Sequence, residues 1–289
     1  MPEMPEVETI ARKLRRVILG KRIVDVELSG LPLRRPLQPS FAADLRGRTV
    51  ARVERRGKYL VLHLEPKLFW LIHLGMSGRI YWTAAAAAPE PHTHAVIRFG
   101  DGSELRYRDH RRFGLLAAYE RRRVSQIPEL EALGVDPLGP RFTVDYLWRQ
   151  LRCSKTEIKS FLLDQKRIAG LGNIYVCEAL FRAGIHPRRR CHRMTLREAA
   201  LLADAVRKVL RAAIRNRGTT FSDFMDSDGE AGSNQRFLRV FQREGQRCRR
   251  CGAGVERLRQ GNRSSFFCPR CQPRAGRRSN SSLRLDAVV

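Results

Sequence analysis

Four cysteines near the end of the chain have the spacing of ligands to a single metal ion. Cys248 and Cys251 are separated by two residues, as are Cys268 and Cys271, and sixteen residues lie between the pairs. Two thiolates at this spacing reach one ion, and two such pairs on a hairpin complete a tetrahedral site with no open position. The spacing therefore predicts one structural Zn²⁺ that stabilises a hairpin and takes no direct part in a reaction.

Arginines are concentrated around this predicted hairpin. Between Arg243 and Arg278 there are eleven arginines and two acidic residues, and Arg263 falls between the cysteine pairs, at the predicted hairpin tip. Guanidinium groups on a rigid hairpin suit contacts with phosphate. A solvated surface explains any single arginine of this set, whereas the cluster as a whole predicts a phosphate-binding surface.

The amino terminus, MPEMPEVETI, is only partly explained as a helix start. Pro5 suits the first turn, where a missing N–H costs nothing, and Glu6 and Glu8 favour the positive end of the helix dipole. Pro2 and Glu3 precede this helix. The residues alone leave open whether they form a frayed end or a working part of the protein.

Three other side chains stand out at the ends of predicted strands. Met76 in HLGMSG is predicted to pack in the core, and Phe113 in RDHRRFG suits the core and an exposed wedge equally well. Apolar side chains beside arginines can replace a base that is extruded from a duplex. Lys58, in RRGKYL, is predicted to be solvated, as lysines at strand edges usually are.

The elements that position these residues change in type along the chain. Apolar spacing predicts a helix from Val7 to about Leu19, and eight β-rich runs between Arg22 and Glu120 predict a β-sandwich or barrel. A Pro- and Gly-rich stretch from Gly134 to Phe142 is interpreted as the interdomain linker. Helices are then predicted at Val144–Arg152, Thr156–Asp164, Ile174–Ala183 and Leu196 to about Arg215.

A glycine turn precedes the third of these helices. Gly170, Leu171 and Gly172 form the predicted turn, and Asn173 is predicted to be the N-cap of the helix. Free amides at such a junction suit a phosphate, and an ordinary helix–helix turn explains the pattern about equally well. The residues leave both interpretations open.

Composition restricts the class of partner. The 289 residues suggest two domains, and 43% of them are hydrophobic, which is enough for a packed interior. Lys and Arg total 56 against 29 Asp and Glu, and the formal charge of +27 is typical of a protein that binds nucleic acid. No run is long and apolar enough to span a bilayer, and no secretory signal opens the chain. An odd number of cysteines argues against a disulfide framework, so Cys153, Cys177 and Cys191 are predicted to be ordinary buried or semi-buried thiols.

The motifs and their order resemble those of bacterial formamidopyrimidine-DNA glycosylases. The resemblance runs from Pro2 to Gln272 and rests on PEMPEVET, RRGKYL, HLGMSG, DHRRFG, KTEIK, GLGNIY and the four-cysteine hairpin with GNRSSFFCPRCQ. It implies an α+β fold, in which an N-terminal helix lies on a β-sandwich and a helix–two-turn–helix domain with a four-cysteine zinc finger follows. The domains implied are a catalytic domain at 1–133, a helical DNA-binding domain at 134–238, a zinc finger at 239–273 and a disordered basic tail at 274–289.

The resemblance implies a bifunctional DNA glycosylase and lyase for abasic sites, which excises 8-oxoguanine and formamidopyrimidines. Removal of Met1 would leave Pro2 as a secondary amine that forms a Schiff base with the sugar C1′. An α-amino group titrates near ~8, so part of it is neutral and nucleophilic at physiological pH. In the family, Glu3 matches the acid/base beside this amine, Lys58 matches the proton donor in β-elimination, and Arg263 matches a phosphate-binding residue that assists δ-elimination.

The resemblance also implies the remaining contacts. Met76, Arg111 and Phe113 match residues that fill the gap left by the flipped nucleotide, and the loop from about Ser222 to Gln235 matches one that closes over the everted base. The partner implied is double-stranded DNA with oxidised bases or abasic sites, and we expect a monomer in the bacterial cytoplasm, associated with the nucleoid. The positions that match DNA contacts are His92, Arg111, Lys155, Lys159 and Asn173.

The sequence departs from the family motifs at two positions, and two alternative functions remain. Met4 replaces the usual leucine and His110 replaces a common proline, but neither change touches the proposed catalytic set. An endonuclease VIII-like enzyme for oxidised pyrimidines is disfavoured because that branch usually has glycine at the position of Met4 and lacks DHRRFG. A non-catalytic zinc-finger protein that binds nucleic acid fits the composition but leaves Pro2, Glu3 and Lys58 unexplained.

Overall fold

The computed structural model describes residues 2–85, 88–220 and 232–274, and the chain forms two compact units. The first unit consists of Met1–Phe142, Leu162–Gly172 and Arg207–Leu238. The second unit consists of Thr143–Phe161, Asn173–Val206 and Arg239–Val289. Most of the predicted loop from Ser222 to Gln235 and most of the predicted tail lie outside the described residues.

The first unit contains a β-sandwich, so the sandwich is the correct one of the two predicted β architectures. Two antiparallel sheets of four strands have the orders β1-β6-β7-β5 and β2-β3-β4-β8. Each of the eight predicted runs forms one strand. The strands are β1 (Ile23–Leu28), β2 (Thr49–Arg56), β3 (Tyr59–Glu65), β4 (Leu68–His73), β5 (Arg79–Thr83), β6 (Thr93–Phe99), β7 (Glu104–Arg108) and β8 (Leu115–Tyr119).

Helix α1 (Met4–Val17) starts three residues earlier than its apolar spacing predicts and packs on the sandwich core. Val7, Ile10 and Leu14 lie on one face of the helix and are buried together with side chains of both sheets. Pro5 lies in the first turn, as predicted. The helix therefore begins directly after Pro2 and Glu3, whose role the sequence left open.

The sheet that contains β3, β4 and β8 is covered on both faces. Val61, Leu71 and Ala117 point away from the main core and form a second apolar cluster with Ile127 and Leu130. Leu130 lies in α3 (Pro128–Glu131), a short helix that the sequence analysis did not predict; nor did it predict α2 (Phe41–Leu45). Burial on both faces explains why these strands are almost continuously apolar instead of alternating.

The second unit carries helices and a two-stranded hairpin. Thr143 caps α4 (Val144–Arg152) by accepting a hydrogen bond from the Tyr146 backbone N–H at 3.0 Å. The boundary between the two units falls within α5 (Ile158–Leu163) and within α7 (Leu196–Arg215). The remaining elements of the second unit are α6 (Asn173–Ala183), β9 (Glu256–Gln260) and β10 (Arg263–Phe267).

The prediction that Asn173 is an N-cap is wrong. Asn173 is itself the first residue of α6. Its side-chain amide donates to the backbone oxygen of Ser264 at 3.0 Å, and its Oδ1 atom is buried without a hydrogen-bond partner. The side chain thus contacts the hairpin instead of capping its own helix.

Candidate active site and metal centre

The residues before α1 are part of the folded interior and not a frayed end. Pro2 is buried, and Glu3 is only 3% exposed. The backbone N–H of Glu3 donates to Oε2 of Glu6 at 2.8 Å, and the N–H of Met4 donates to the backbone oxygen of Gly170 at 3.1 Å. These two bonds fix the end of the chain on both sides of Glu3.

The Glu3 carboxyl group lies directly against Gly172. A Cβ atom placed on Gly172 would come within 2.2 Å of the Glu3 Cδ atom, so any side chain at this position would displace the carboxyl group. Gln165 supports the segment behind it, because its Nε2 donates to Leu171 O and its Oε1 accepts from Gly170 N, both at 2.8 Å. The turn whose free amides could suit a phosphate therefore makes room, at Gly172, for the carboxylate of Glu3.

Lys58 adjoins the same segment. It lies in the turn between β2 and β3, and the preceding Gly57 packs against Ala169 and Gly170. The expectation of a solvated strand-edge lysine is wrong, because Lys58 is only 7% exposed. The sequence could not show that the turn is covered by a segment about one hundred residues further along the chain.

His73 is a neighbour of Lys58 that the sequence analysis did not select. Burial, together with the positive charges of Lys58 and Arg34, lowers the pKa of His73 to about 4, so the ring is neutral at physiological pH. Its Nδ1 accepts a hydrogen bond from the Gly75 backbone N–H at 3.0 Å. The available signal was its position as the last residue of an apolar strand and the first of HLGMSG.

The loops after β4 and β7 expose two large apolar side chains. Met76 is 42% exposed and Phe113 is 47% exposed, so the prediction that Met76 packs in the core is wrong. The guanidinium carbon of Arg111 lies 4.7 Å from the centre of the Phe113 ring, within the range of a cation–π contact. The two loops thus offer an apolar surface with a positive charge beside it, as an intercalating wedge requires.

Asp109 links the loop after β4 to the loop after β7 through buried hydrogen bonds. It is fully buried, and its carboxylate accepts hydrogen bonds from Ser77 Oγ at 2.5 Å and from the Gly114 backbone N–H at 2.8 Å. Tyr107 O–H donates to the same group at 3.3 Å, and burial beside Asp109 raises the pKa of that phenol. A Cβ atom on Gly114 would lie 1.6 Å from the Tyr107 oxygen, which explains the glycine.

His92 is exposed, and its backbone is hydrogen-bonded to Asp109. Its carbonyl oxygen accepts the N–H of Asp109 at 3.0 Å, and its ring lies 6.4 Å from that of His110. Its φ angle of 67° lies in the left-handed region. The imidazole is therefore presented to solvent beside the loop that carries Arg111.

Glu6 and a set of polar side chains make hydrogen bonds with the residues on either side of 221–231. Glu6 Oε1 accepts the backbone N–H of Thr219 at 2.8 Å. Asn234 Nδ2 donates to Thr219 Oγ1 at 2.8 Å, and Thr220 N donates to Gln235 Oε1 at 3.2 Å. Glu6 thus contacts both Glu3 and Thr219, which precedes the segment from Ser222 to Gln235 that is predicted to close over an everted base.

The four predicted metal ligands converge in the second unit. The Sγ atoms of Cys248, Cys251, Cys268 and Cys271 all lie within 4.8 Å of one another, and the pair Cys251–Cys268 is 3.4 Å apart. Tetrahedral Zn²⁺ with bonds of about 2.3 Å requires sulfur atoms roughly 3.8 Å apart, so the four residues fit this ion. Backbone N–H groups of Arg250 and Cys271 donate to Cys248 Sγ and Cys268 Sγ at 3.4 Å, which favours thiolates.

The other cysteines take no part in this site. Cys177 and Cys191 are buried as predicted, whereas Cys153 is exposed, contrary to the prediction. Cys153 lies at the C-terminus of α4, where its thiol faces solvent.

The zinc hairpin presents Arg263 at its tip, as predicted. Arg263 pairs with Gln260 across the turn formed by Gly261 and Asn262, and its side chain is exposed. The opposite end of the hairpin is anchored by Phe266, whose ring lies 5.2 Å from that of Phe241. The guanidinium therefore projects from a strand whose base is buried.

Two of the predicted DNA-contacting residues support this hairpin. Lys159 is fully buried, and its ammonium donates to Ser264 O at 2.7 Å and to Ser265 Oγ at 2.6 Å. Asn173 donates to the same carbonyl oxygen of Ser264. Lys155, in contrast, is exposed, as a phosphate contact requires.

Glu178 was not predicted and holds the segment that leads to the hairpin. Its carboxyl group is buried and accepts the backbone N–H groups of Arg239, Val240 and Phe241, each at 2.9 Å. Burial raises the pKa of Glu178, although these three hydrogen bonds oppose that change. An isolated glutamate on an apolar helix was the only signal in the sequence.

Family models match most of the chain. The formamidopyrimidine-DNA glycosylase N-terminal domain matches residues 1–116, and the H2TH domain of the same enzymes matches residues 133–225. A zinc finger found in FPG and IleRS matches residues 245–274. Among the helices of the described residues, none has the length and apolarity to cross a membrane.

Curated relatives and solved structures agree with these matches. Formamidopyrimidine-DNA glycosylases of Desulforamulus reducens and Geobacillus kaustophilus are 42% and 43% identical, each over 94% of this chain and 99% and 100% of those proteins. The MutM (Fpg) structure of Thermus thermophilus is 40% identical, with a TM-score of 0.84 over 94% of this chain and 98% of that chain. A Lactococcus lactis Fpg complex with abasic-site DNA is 31% identical, with a TM-score of 0.85 over 94% of this chain and 100% of that one.

Proposed function

The chain belongs to the formamidopyrimidine-DNA glycosylase family and is a DNA glycosylase for oxidised purines, and we propose that Pro2 is its nucleophile. The observation that carries this proposal is the burial of Pro2 beside a fixed glutamate at the very start of the chain. The hydrogen bonds of Glu3 N–H to Glu6 and of Met4 N–H to Gly170 O hold this end of the chain in one position. Removal of Met1 exposes the secondary amine that the chemistry requires.

The reaction begins with the lone pair of the Pro2 nitrogen. It bonds to C1′ of the damaged nucleotide while the bond between C1′ and the base breaks, and the base leaves with that electron pair and takes up a proton. Opening of the sugar ring then gives an iminium ion. Glu3 exchanges the protons of the amine and the ring oxygen, and its position against Gly172 keeps it beside the amine.

Strand cleavage follows because the iminium ion acidifies the neighbouring C–H bonds. Loss of a C2′ proton expels the 3′ phosphate in β-elimination, and a second elimination expels the 5′ phosphate. We assign a proton-donating role to Lys58, which is buried near the neutral ring of His73. The positive charge of Lys58 is itself one cause of the low pKa of His73.

Extrusion of the damaged nucleotide is assigned to the exposed loops of the sandwich. Met76 and Phe113 fill the gap in the duplex, and Arg111 occupies the place beside the unpaired base. Unstacking costs a few kcal/mol per step, which contacts of these side chains with the neighbouring bases offset. Asp109 holds the loops in advance, so the cost of ordering them is not incurred on binding.

Contacts with the DNA backbone are assigned to Arg263, Lys155 and His92, which are all exposed. Zn²⁺ supplies rigidity to the hairpin when bound to the four cysteines, and Arg263 then contacts phosphate and assists δ-elimination. Lys159 and Asn173 act on DNA through this hairpin, because both hold the backbone of Ser264. We further propose action in the bacterial cytoplasm on nucleoid DNA; the bacterial origin of the relatives supports only the bacterial part of this proposal.

Borohydride trapping tests this proposal. The protein with Met1 removed is incubated with a duplex that contains 8-oxoguanine, and borohydride reduces the iminium ion to a stable covalent adduct. We expect an adduct at Pro2 by mass spectrometry and none with an undamaged duplex. Absence of an adduct would leave the non-catalytic interpretation.

One similar structure justifies a second substrate in the same experiment. A Lactococcus lactis Fpg that is 32% identical to this chain was solved with DNA that contains an oxidised pyrimidine. A thymine glycol duplex is therefore compared with the 8-oxoguanine duplex. Faster trapping on thymine glycol would favour the endonuclease VIII-like alternative.

A further inference from the structure

A cavity of about 550 Å³ lies at the base of the zinc hairpin, away from the hairpin tip that carries Arg263. It lies within the second unit, between the start of β9, the segment after β10 and the loop after α6. Its volume is in the range of small-molecule sites. Its lining includes three arginines, Arg188, Arg257 and Arg274, and one acidic residue, Glu256.

The arginines of this cavity are only weakly engaged by the rest of the protein. Arg274 has no hydrogen bond or ion pair with any described residue, and the side chain of Arg188 makes one hydrogen bond, of 3.3 Å, to the Arg259 carbonyl oxygen. Arg257 lies 3.5 Å from Glu244, and both side chains are more than half exposed, so the pair contributes little. Guanidinium groups with free N–H donors are therefore gathered around one cavity.

A buried donor lies among them. His186 is only 6% exposed, and its Nδ1 accepts the backbone N–H of Arg188 at 3.1 Å. Burial and the positive charges of Arg274 and Arg188 lower the pKa of His186 to about 4, so the ring is neutral and carries its proton on Nε2. This N–H has no partner among the described residues, although the residue lines the cavity.

We propose that this cavity binds a phosphate group, at a site distinct from the residues assigned to excision. Three guanidinium groups and one neutral N–H donor match the oxygens of a phosphate, and the planar guanidinium forks favour such oxyanions. Leu258, Pro269 and Pro273 add an apolar wall that can contact a sugar or a base. The phosphate belongs to a free nucleotide or to the backbone of bound DNA beyond the lesion.

The first arm of the test measures free ligands. The zinc-loaded protein is saturated with an uncleavable abasic-analogue duplex, and ³¹P NMR follows titration with inorganic phosphate and with deoxyguanosine 5′-monophosphate. For a free-nucleotide site we expect saturable binding that falls roughly tenfold or more in the Arg257→Ala/Arg274→Ala double variant. The matched control is Arg270→Ala, because Arg270 is an exposed arginine of the same zinc finger that does not line the cavity.

The second arm measures the affinity of the protein for DNA. Affinity for a short lesion duplex and for one extended on both sides is measured over a range of salt concentrations. If the phosphate belongs to DNA, the double variant lowers the salt slope by about 1 for the extended duplex only, and Arg270→Ala does not. Both arms assume that the protein binds DNA, and neither depends on the catalytic role proposed for Pro2.

Weaker nucleotide binding or a smaller salt slope in the double variant supports the site, and which of the two is observed identifies the source of the phosphate. Nucleotide binding of equal strength in wild type and double variant, together with equal salt slopes, would place the ligand elsewhere and overturn the proposal. So would the absence of nucleotide binding together with equal salt slopes in all three proteins.

Discussion

The proposed nucleophile and its acid–base partner are positioned by backbone contacts with another part of the chain. Met4 N–H binds Gly170 O, and the Glu3 carboxyl group fills the space that the missing side chain of Gly172 leaves free. Catalytic groups must stay close to their productive geometry, because small displacements cost large factors in rate. The absence of a side chain on Gly172 is therefore a condition for the observed position of Glu3.

Replacement of Gly172 by alanine tests this arrangement. The new Cβ would lie 2.2 Å from Glu3 Cδ, so the carboxyl group must leave its present position. We expect the rate of borohydride-trapped adduct formation to fall by roughly 100-fold, with little change in affinity for an abasic-analogue duplex. Gly254→Ala, where a Cβ would meet nothing within 4 Å, is the control. An unchanged trapping rate in Gly172→Ala would contradict the role given to Glu3.

A second residue acts through the wedge loops. Asp109 accepts hydrogen bonds from Ser77, Tyr107 and Gly114, and asparagine would place a donor against at least one of them. In Asp109→Asn we expect excision of 8-oxoguanine to slow by about tenfold or more. Trapping on a preformed abasic site should stay near the wild-type rate, because no base must be extruded there.

The same comparison separates positioning from general damage to the fold. Asp101→Asn changes an exposed aspartate of the same unit and serves as the control. If Asp109→Asn slows both substrates equally, Asp109 is a determinant of stability and not a positioning residue for the wedge.

At the scale of elements, α1 is fixed to β2 by a group of charges as well as by its apolar face. Glu8 on α1 contacts Arg55 at 3.1 Å, and Arg55 also contacts Asp136 at 2.5 Å. Burial acts to raise the pKa of the Glu8 carboxyl group, but Arg55, Arg12 and Arg15 outweigh it and hold that pKa below its usual value. An ionised Glu8 therefore stabilises the helix that follows Pro2 and Glu3.

This dependence predicts a pH effect on stability. Because the pKa of Glu8 is lower in the folded protein than its unfolded value of about 4.3, its contribution is complete above that value. The contribution is lost as the pH falls through the folded pKa. We expect Glu8→Gln to lower the free energy of unfolding by about 1–3 kcal/mol at neutral pH.

Urea unfolding at several pH values measures that difference. It should stay constant from pH 7 down to about 5 and shrink in more acidic solution, where wild type loses the same interaction. A difference that grows on acidification would show that the folded pKa is raised and would contradict the assignment.

Elements were more predictable than the environments of single residues. The eight strands and the limits of α4 follow from local patterns, because apolar spacing and turn residues act over a few positions. The burial of Lys58 and the exposure of Met76 depend on which distant segments cover a loop, and no local pattern encodes that. The same limit explains why Asn173 is predicted to cap α6, whereas its side chain binds the backbone of Ser264.

The catalytic set was predicted only through the resemblance. Pro2 and Glu3 carry no local signal beyond their position, and the roles assigned to all site residues stay predictions. The division at residues 133, 238 and 273 also stays a prediction. Each compact unit of the structure is built from three separate segments of the chain.

At the scale of the whole molecule, DNA affinity and chemistry arise from different sources. The formal charge of +27 is spread over the chain and attracts any duplex, whereas the Schiff base requires one amine at the terminus. Contacts with about three to five phosphates predict that the logarithm of the binding constant falls with the logarithm of salt concentration with a slope of roughly −3 to −5. The two sources can be separated by a change that removes only one of them.

Retention of one residue ahead of Pro2 is such a change. It converts the secondary amine into an amide nitrogen without a nucleophilic lone pair, so we expect no borohydride adduct with 8-oxoguanine or abasic duplexes. Because no cationic side chain is altered, affinity for the abasic-analogue duplex and its salt slope should match those of the processed protein. Adduct formation by the blocked protein would exclude Pro2 as the nucleophile, and a parallel loss of affinity would mean that the terminus contributes to DNA binding as well as to catalysis.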